Sequence, residues 1–136
     1  MKDIDSVLEP SAGIGSLLDY LPLRTKAIEI SSLRCEVIKA KGFDVECYDF
    51  IEWSKQTKDR YDKIIMNPPF DQGQWNAHIK QAASLVNPNG KLIAILPTSA
   101  KNKLELDGFE IKWHGPYDNQ FSGTSIAVII LEATLH

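Results

Sequence analysis

Tyr61-Asp62-Lys63-Ile64-Ile65-Met66 runs directly into Asn67-Pro68-Pro69-Phe70. The first six residues are a short apolar run of the kind that forms a buried strand. Two consecutive prolines cannot continue it, because neither has an N–H to give a neighbouring strand. The chain therefore leaves the sheet at Asn67 in a stiff, extended turn. That turn presents one carboxamide, a backbone carbonyl with little freedom, and an aromatic face. Two acceptors and a ring suit a flat aromatic amine, which has two N–H bonds and a face to stack on.

Upstream, Ser6-Val7-Leu8 reads as a strand that enters Glu9-Pro10-Ser11-Ala12-Gly13-Ile14-Gly15. Small residues and two glycines after a strand permit a tight turn and close approach of a ligand to the backbone. Ser16 to Leu21 predicts a short helix, stopped by Pro22. Lys26 to Ile30 is a second strand, and Ser31 or Ser32 can cap the helix after it. Leu33, Val37 and Ala40 are that helix's apolar stripe at helical spacing, and Gly42 is placed to end it in a left-handed conformation. Phe43 to Tyr48 is a third strand, ending at Asp49-Phe50, and Ile51 to Gln56 predicts one helical turn.

Downstream, Trp75, His78, Ile79, Ala82, Ala83 and Val86 recur at steps of three and four, a helical pattern that starts at Gln74. Asn87-Pro88-Asn89-Gly90 is a turn signal. Lys91 to Leu96 is the nearly continuous apolar run of a strand covered on both faces. Ser99 to Leu106 predicts a short helix. Phe109 to Trp113 and Ser125 to Leu131 are two last strands, joined by a polar loop from Gly115 to Thr124. Strand and helix alternate, so the predicted fold is a doubly wound α/β sheet, mostly parallel, closed by a C-terminal strand pair. Ligands of such sheets sit beyond the carboxyl ends of the strands. Glu9 to Gly15, Glu29, Asp49 and Asn67 to Phe70 all fall at such ends.

The 136 residues suffice for a single domain spanning 1–136 around one core. No apolar run is long enough to span a bilayer, and no charged-then-apolar leader opens the chain, so a cytoplasmic protein without a membrane partner is expected. Cys35 and Cys47 lack a metal-ligand spacing and read as buried free thiols, with no metal site. The formal charge is −3, so any nucleic-acid contact needs a local basic patch. The best cluster, Lys101 and Lys103 with Lys112, reads as a solvated face. His78 reads as a packed or boundary histidine, Trp75 as a core aromatic, and Asp71 as a residue that shapes the turn or approaches the substrate.

Taken together, these segments resemble class I S-adenosylmethionine-dependent methyltransferases that modify amino or amide nitrogens. Glu9-Pro10-Ser11-Ala12-Gly13-Ile14-Gly15 looks like their first cofactor motif. Glu29, followed by Ile30, matches the acid on the cofactor ribose, and Asp49-Phe50 the acid on its adenine amino group with a neighbour against the ring. Asn67-Pro68-Pro69-Phe70 matches the catalytic motif of enzymes acting on exocyclic amines, with Asn67 also bordering the cofactor. Lys91 to Pro97 and Phe121-Ser122-Gly123-Thr124 resemble compact phage- and plasmid-type DNA N6-adenine methyltransferases.

The resemblance implies a Rossmann-like methyltransferase sheet with S-adenosyl-L-methionine as cofactor and DNA as substrate. It also carries two alternatives with the same chemistry, a protein glutamine amide and guanine N2 in RNA. A third alternative is a non-catalytic or partner-dependent cofactor-binding module. The sequence contains no separate target-recognition segment, and the first strand starts near residue six. A homodimer or a helper subunit is therefore expected to supply the lid or the target reader.

Overall fold

The computed structural model of the chain describes residues 5–11, 17–118 and 127–136. Its strands are β1 (Val7–Glu9), β2 (Lys26–Glu29), β3 (Asp44–Cys47), β4 (Tyr61–Met66), β5 (Val86–Pro97), β6 (Phe109–Asp118) and β7 (Ala127–Leu135). Its α-helices are α1 (Ser32–Ala40), α2 (Phe50–Gln56) and α3 (Gln74–Ala83). The strands form one seven-stranded sheet in the order β3-β2-β1-β4-β5-β7-β6. The first five pair in parallel, and β7 is antiparallel to both β5 and β6. This is the doubly wound sheet with a C-terminal antiparallel pair that the strand–helix alternation predicts.

Register assigns each side chain to a face, because partners in a ladder point the same way. Leu8, Ile64 and Leu92 align across β1, β4 and β5. With Met66, Ala94, Leu96 and Leu131 they build the main core, together with Phe50 and Trp53 of α2 and Trp75, Ile79 and Ala82 of α3. The opposite face carries α1 over β2 and β3, where Leu18, Ala27, Ile38 and Phe43 form a second core.

Several elements differ from the sequence reading. Helix α1 does begin at a Ser31 cap, whose hydroxyl accepts from the Arg34 N–H at 3.3 Å, and Gly42 follows it at φ +93°. Its buried side, however, is Cys35 and Ile38. Leu33 is 75% exposed, and Val37 and Ala40 are exposed as well. The helix carries two sets of apolar residues, and spacing alone does not say which one docks. The expected helices at 16–21 and 99–106 are single 3-10 turns, Leu18–Tyr20 and Thr98–Asn102. Helix α2 is longer than the one expected turn. Strand β6 runs on to Asp118 through part of the expected loop, slipping register between His114 and Tyr117. The remainder of that loop, including Phe121 to Thr124, lies outside the described residues. Of the two thiols, Cys35 is buried and Cys47 exposed.

Asn87-Pro88-Asn89-Gly90 does not separate α3 from a strand at Lys91. It lies inside β5 as a bulge: Tyr61 pairs with Val86, but Lys63 pairs with Lys91. Asn89 takes φ +67°. Gly90 is packed so closely that an added Cβ would lie 2.8 Å from the carbonyl oxygens of both Asn87 and Asp62. Asp62 fastens this bulge to β1. Its Oδ2 accepts from the Ser6 N–H at 3.0 Å and the Ser6 hydroxyl at 3.3 Å, and its Oδ1 accepts from Asn87 Nδ2 at 3.0 Å. These bonds favour the carboxylate and hold its pKa below the ordinary 3.8.

Replacing Asp62 by Ala removes all three acceptor bonds and is expected to lower stability by about 2–3 kcal/mol in urea denaturation. A depressed carboxylate pKa contributes stability above its unfolded value and loses it as pH falls through the folded value. The deficit of Asp62→Ala should therefore be full at neutral pH and shrink in acid. A constant deficit across that range would show that packing, not the charge, carries the effect.

Candidate active site

β4 pairs with β5 only as far as Met66 opposite Ala94, while β5 continues to Pro97 with β7 as its partner. The proline pair therefore leaves a notch in the sheet at the end of β4, and Asn67 is the first residue past that end. Pro68 is buried, Asn67 and Phe70 are half-buried, and the Phe70 ring packs against the main core. Among the described residues nothing hydrogen-bonds the Asn67 carboxamide. The prolines and the anchored ring thus frame a carboxamide that no described residue uses.

Three other parallel strands end on the same edge of the sheet. At the end of β1, Glu9 is 1% exposed and its Oε2 accepts from the Ser11 N–H at 2.8 Å. Burial drives its pKa up to about 8, against the Ser11 bond that lowers it, with the Glu29 carboxylate adding a smaller upward push. Pro10 is buried next to it, and Ser11 is half-buried. Ala12, Gly13 and Gly15 lie outside the described residues.

At the end of β2, Glu29 is 5% exposed and its Oε2 accepts from the Ser31 N–H at 2.7 Å. Ile30, immediately after it, is 68% exposed. At the end of β3, Asp49 Oδ2 accepts from the Glu52 N–H at 3.0 Å and caps α2. Among the described residues its second oxygen has no partner. Phe50 is part of the core, its ring centroid 6.2 Å from that of Trp53 and 5.7 Å from that of His78. The exposed apolar side chains next to Glu29 and Asp49 are Ile30 and Tyr48.

His78 joins these segments, although helical spacing assigns it to packing. It lies on α3, the helix that follows the Asn67 turn. Its Nδ1 is 3.5 Å from the Ser11 hydroxyl and its ring adjoins Phe50. Burial pulls its pKa down, partly offset by the Asp49 carboxylate, so the ring is held towards its neutral form. A neutral Nδ1 can accept from the Ser11 hydroxyl. The available sequence signal was its position one turn after Trp75 on the helix that leaves the proline turn. Trp75 itself is buried in the main core. No helix among the described residues is long and apolar enough to cross a membrane.

The strand order is that of a Rossmann-like methyltransferase sheet. The chain belongs to the methyltransferase small domain family, whose pattern matches residues 16–109. Its methyl donor is S-adenosylmethionine. The residues present fit such a group: buried carboxyls at Glu9 and Glu29, an Asp49 oxygen with no partner among the described residues, and the exposed Ile30 side chain.

Among solved structures, an rRNA methylase from Streptococcus thermophilus is 12% identical, with 98% of this chain and 89% of that one covered at a TM-score of 0.69. The N-methyltransferase NodS from Bradyrhizobium japonicum is 11% identical over 96% and 86%, at 0.70. SMU.1697c from Streptococcus mutans, solved with SAH, is 11% identical over 96% and 89%, at 0.67. At these identities the likeness is one of fold. A sequence comparison with curated proteins finds no match.

Glu9 makes the pH dependence of stability testable. Its folded pKa lies above the ordinary 4.5, so the folded state keeps a proton that the unfolded chain releases. Stability should then fall as pH rises from about 4.5 to about 8. Glu9→Gln keeps an acceptor for the Ser11 N–H without the charge. It should exceed wild type at pH 8 by on the order of 3–5 kcal/mol and show a flatter profile in thermal melts. Parallel profiles for the two proteins would mean that Glu9 titrates normally.

Proposed function

We propose that the protein transfers a methyl group from S-adenosylmethionine to an exocyclic amino nitrogen of a nucleic-acid base, with N6 of adenine in DNA as the first choice. The observation that carries this reading is the Asn67 carboxamide, held rigidly at the notch with no protein partner among the described residues. Glu29 would hold the cofactor ribose hydroxyls, Asp49 its adenine amino group, Ile30 its adenine face, and the Glu9 turn its methionine end. When bound, the cofactor supplies an electrophilic methyl group on a sulfonium centre.

The lone pair of an aromatic amine is delocalised into its ring and must be localised before it can attack. The Asn67 side-chain oxygen and the Pro68 carbonyl accept the two N–H bonds of the amine. Acceptors placed below the ring plane favour a nitrogen closer to tetrahedral, so they bind best when the new bond is forming. Rigidity matters here because Pro68 and Pro69 fix the acceptors before the substrate arrives. The exposed part of Phe70 stacks on the base and keeps water from the nitrogen. A base in a duplex has to be flipped out to reach this turn. The methylated nitrogen then releases its surplus proton.

A second reading keeps these residues and places the amine on guanine N2 of an RNA. It is favoured by the fold likeness to the rRNA methylase. Labelled methyl incorporation into DNA, RNA and protein pools, followed by nucleoside analysis, separates the readings. Asn67→Ala should lower turnover on the accepted pool by about 100-fold or more. The same variant should bind S-adenosylhomocysteine within a few-fold of wild type, as read by calorimetry. Near-normal turnover by Asn67→Ala would remove Asn67 from the chemistry.

A further inference from the structure

Cys35 and Cys47 are distant from the proline turn but not from the candidate cofactor segment. Glu29 pairs with Cys47 across β2 and β3. Ala27 and Val45, two positions earlier in the same ladder, pack towards α1 in the second core. By strand alternation Cys47 faces α1 too. Cys35 is one of the two inward residues of α1, 1% exposed. The two thiols therefore meet between α1 and β3, each bonded to one of two successive carbonyls of the chain. Cys35 Sγ also donates to the Glu29 carbonyl at 3.2 Å, and Cys47 Sγ to the Ile30 carbonyl at 3.7 Å. The pair therefore holds the backbone of the two residues assigned to the ribose and adenine.

We propose that Cys35 and Cys47 are an oxidative modification site, closed to a disulfide by a hydroperoxide, and that closure weakens cofactor binding at Glu29 and Ile30. The effect on binding rests on the cofactor roles given to those two residues. Cys47 is exposed and reacts first. Its thiolate attacks the O–O bond, taking one oxygen to become a sulfenic acid while the hydroperoxide leaves as an alcohol, or as water from hydrogen peroxide. Cys35 is buried, and its pKa is pushed up to about 12 by burial and by Cys47, so it stays a thiol during this step. It then displaces the sulfenic oxygen. The S–S bond forms, and the oxygen leaves as water with the Cys35 proton. In sum, two thiols and one hydroperoxide give a disulfide, an alcohol and water. The disulfide has no S–H, so the Glu29 and Ile30 carbonyls both lose a donor.

The test treats the full chain with a small excess of hydrogen peroxide. Intact mass should fall by about 2 Da, and a non-reducing digest should contain one peptide pair linking Cys35 to Cys47. Calorimetric affinity for S-adenosylhomocysteine should drop by about ten-fold or more and recover after dithiothreitol. Cys35→Ser should keep its affinity under the same treatment and carry a dimedone-reactive Cys47. Oxidation of Cys47 to the sulfinic acid without a link would overturn the proposal, as would a link that leaves affinity unchanged. The link is read by mass alone. A reduced protein that failed to bind would therefore count against the cofactor assignment and not against the thiol chemistry.

Discussion

Pro68 and Pro69 have no N–H to offer, and the site depends on that lack. β4 must end at Met66 while β5 and β7 continue beside it. In the notch this opens, a carboxamide stands at the sheet's edge without being drawn into the ladder. A strand that continued would have used the same backbone groups for pairing. The Phe70 ring, packed on the main core, keeps the turn from folding away. Rigidity at the turn and continuity of the neighbouring strands are thus two results of the same missing donor.

The carboxylates around the notch show how the sheet distributes charge. Glu9 and Glu29 are both buried at neighbouring strand ends, and each is tied to a backbone N–H two residues on. Burying two acids side by side is costly, which is why Glu9 holds its proton into the neutral range. Such a pair is poorly designed for stability alone and well placed for a cationic ligand. Asp62, on the same strand as the proline turn but at its other end, has the opposite balance: it is surrounded by donors and stays charged. Where burial outweighs a single donor the carboxyl pKa rises, and where several donors outweigh burial it falls.

His78 and the two cysteines extend this arrangement to side chains that no motif marks. His78 reaches from α3 to the β1 turn and to Phe50. The thiols reach from α1 and β3 to the last carbonyl of β2 and the one that follows it. Each contact crosses between elements on different segments of the chain, so the strand-end turns are braced from both faces of the sheet.

Local chemistry determined much of this protein. The proline pair ends β4, Ser31 and Gly42 bound α1, alternation of strands and helices sets a doubly wound sheet, and the acids fall on strand ends. All of these act within a few residues of themselves, through missing donors, caps and periodicity. Tertiary structure decided what depends on partners far along the chain. Leu33, Val37 and Ala40 have helical spacing, yet α1 docks through Cys35 and Ile38, because docking is settled by the sheet beneath. Asn87 to Gly90 has a turn sequence, yet Asp62 and Ser6 draw it into β5 as a bulge. The meeting of Cys35 with Cys47, and of His78 with Ser11, exists only once the sheet has brought these segments together.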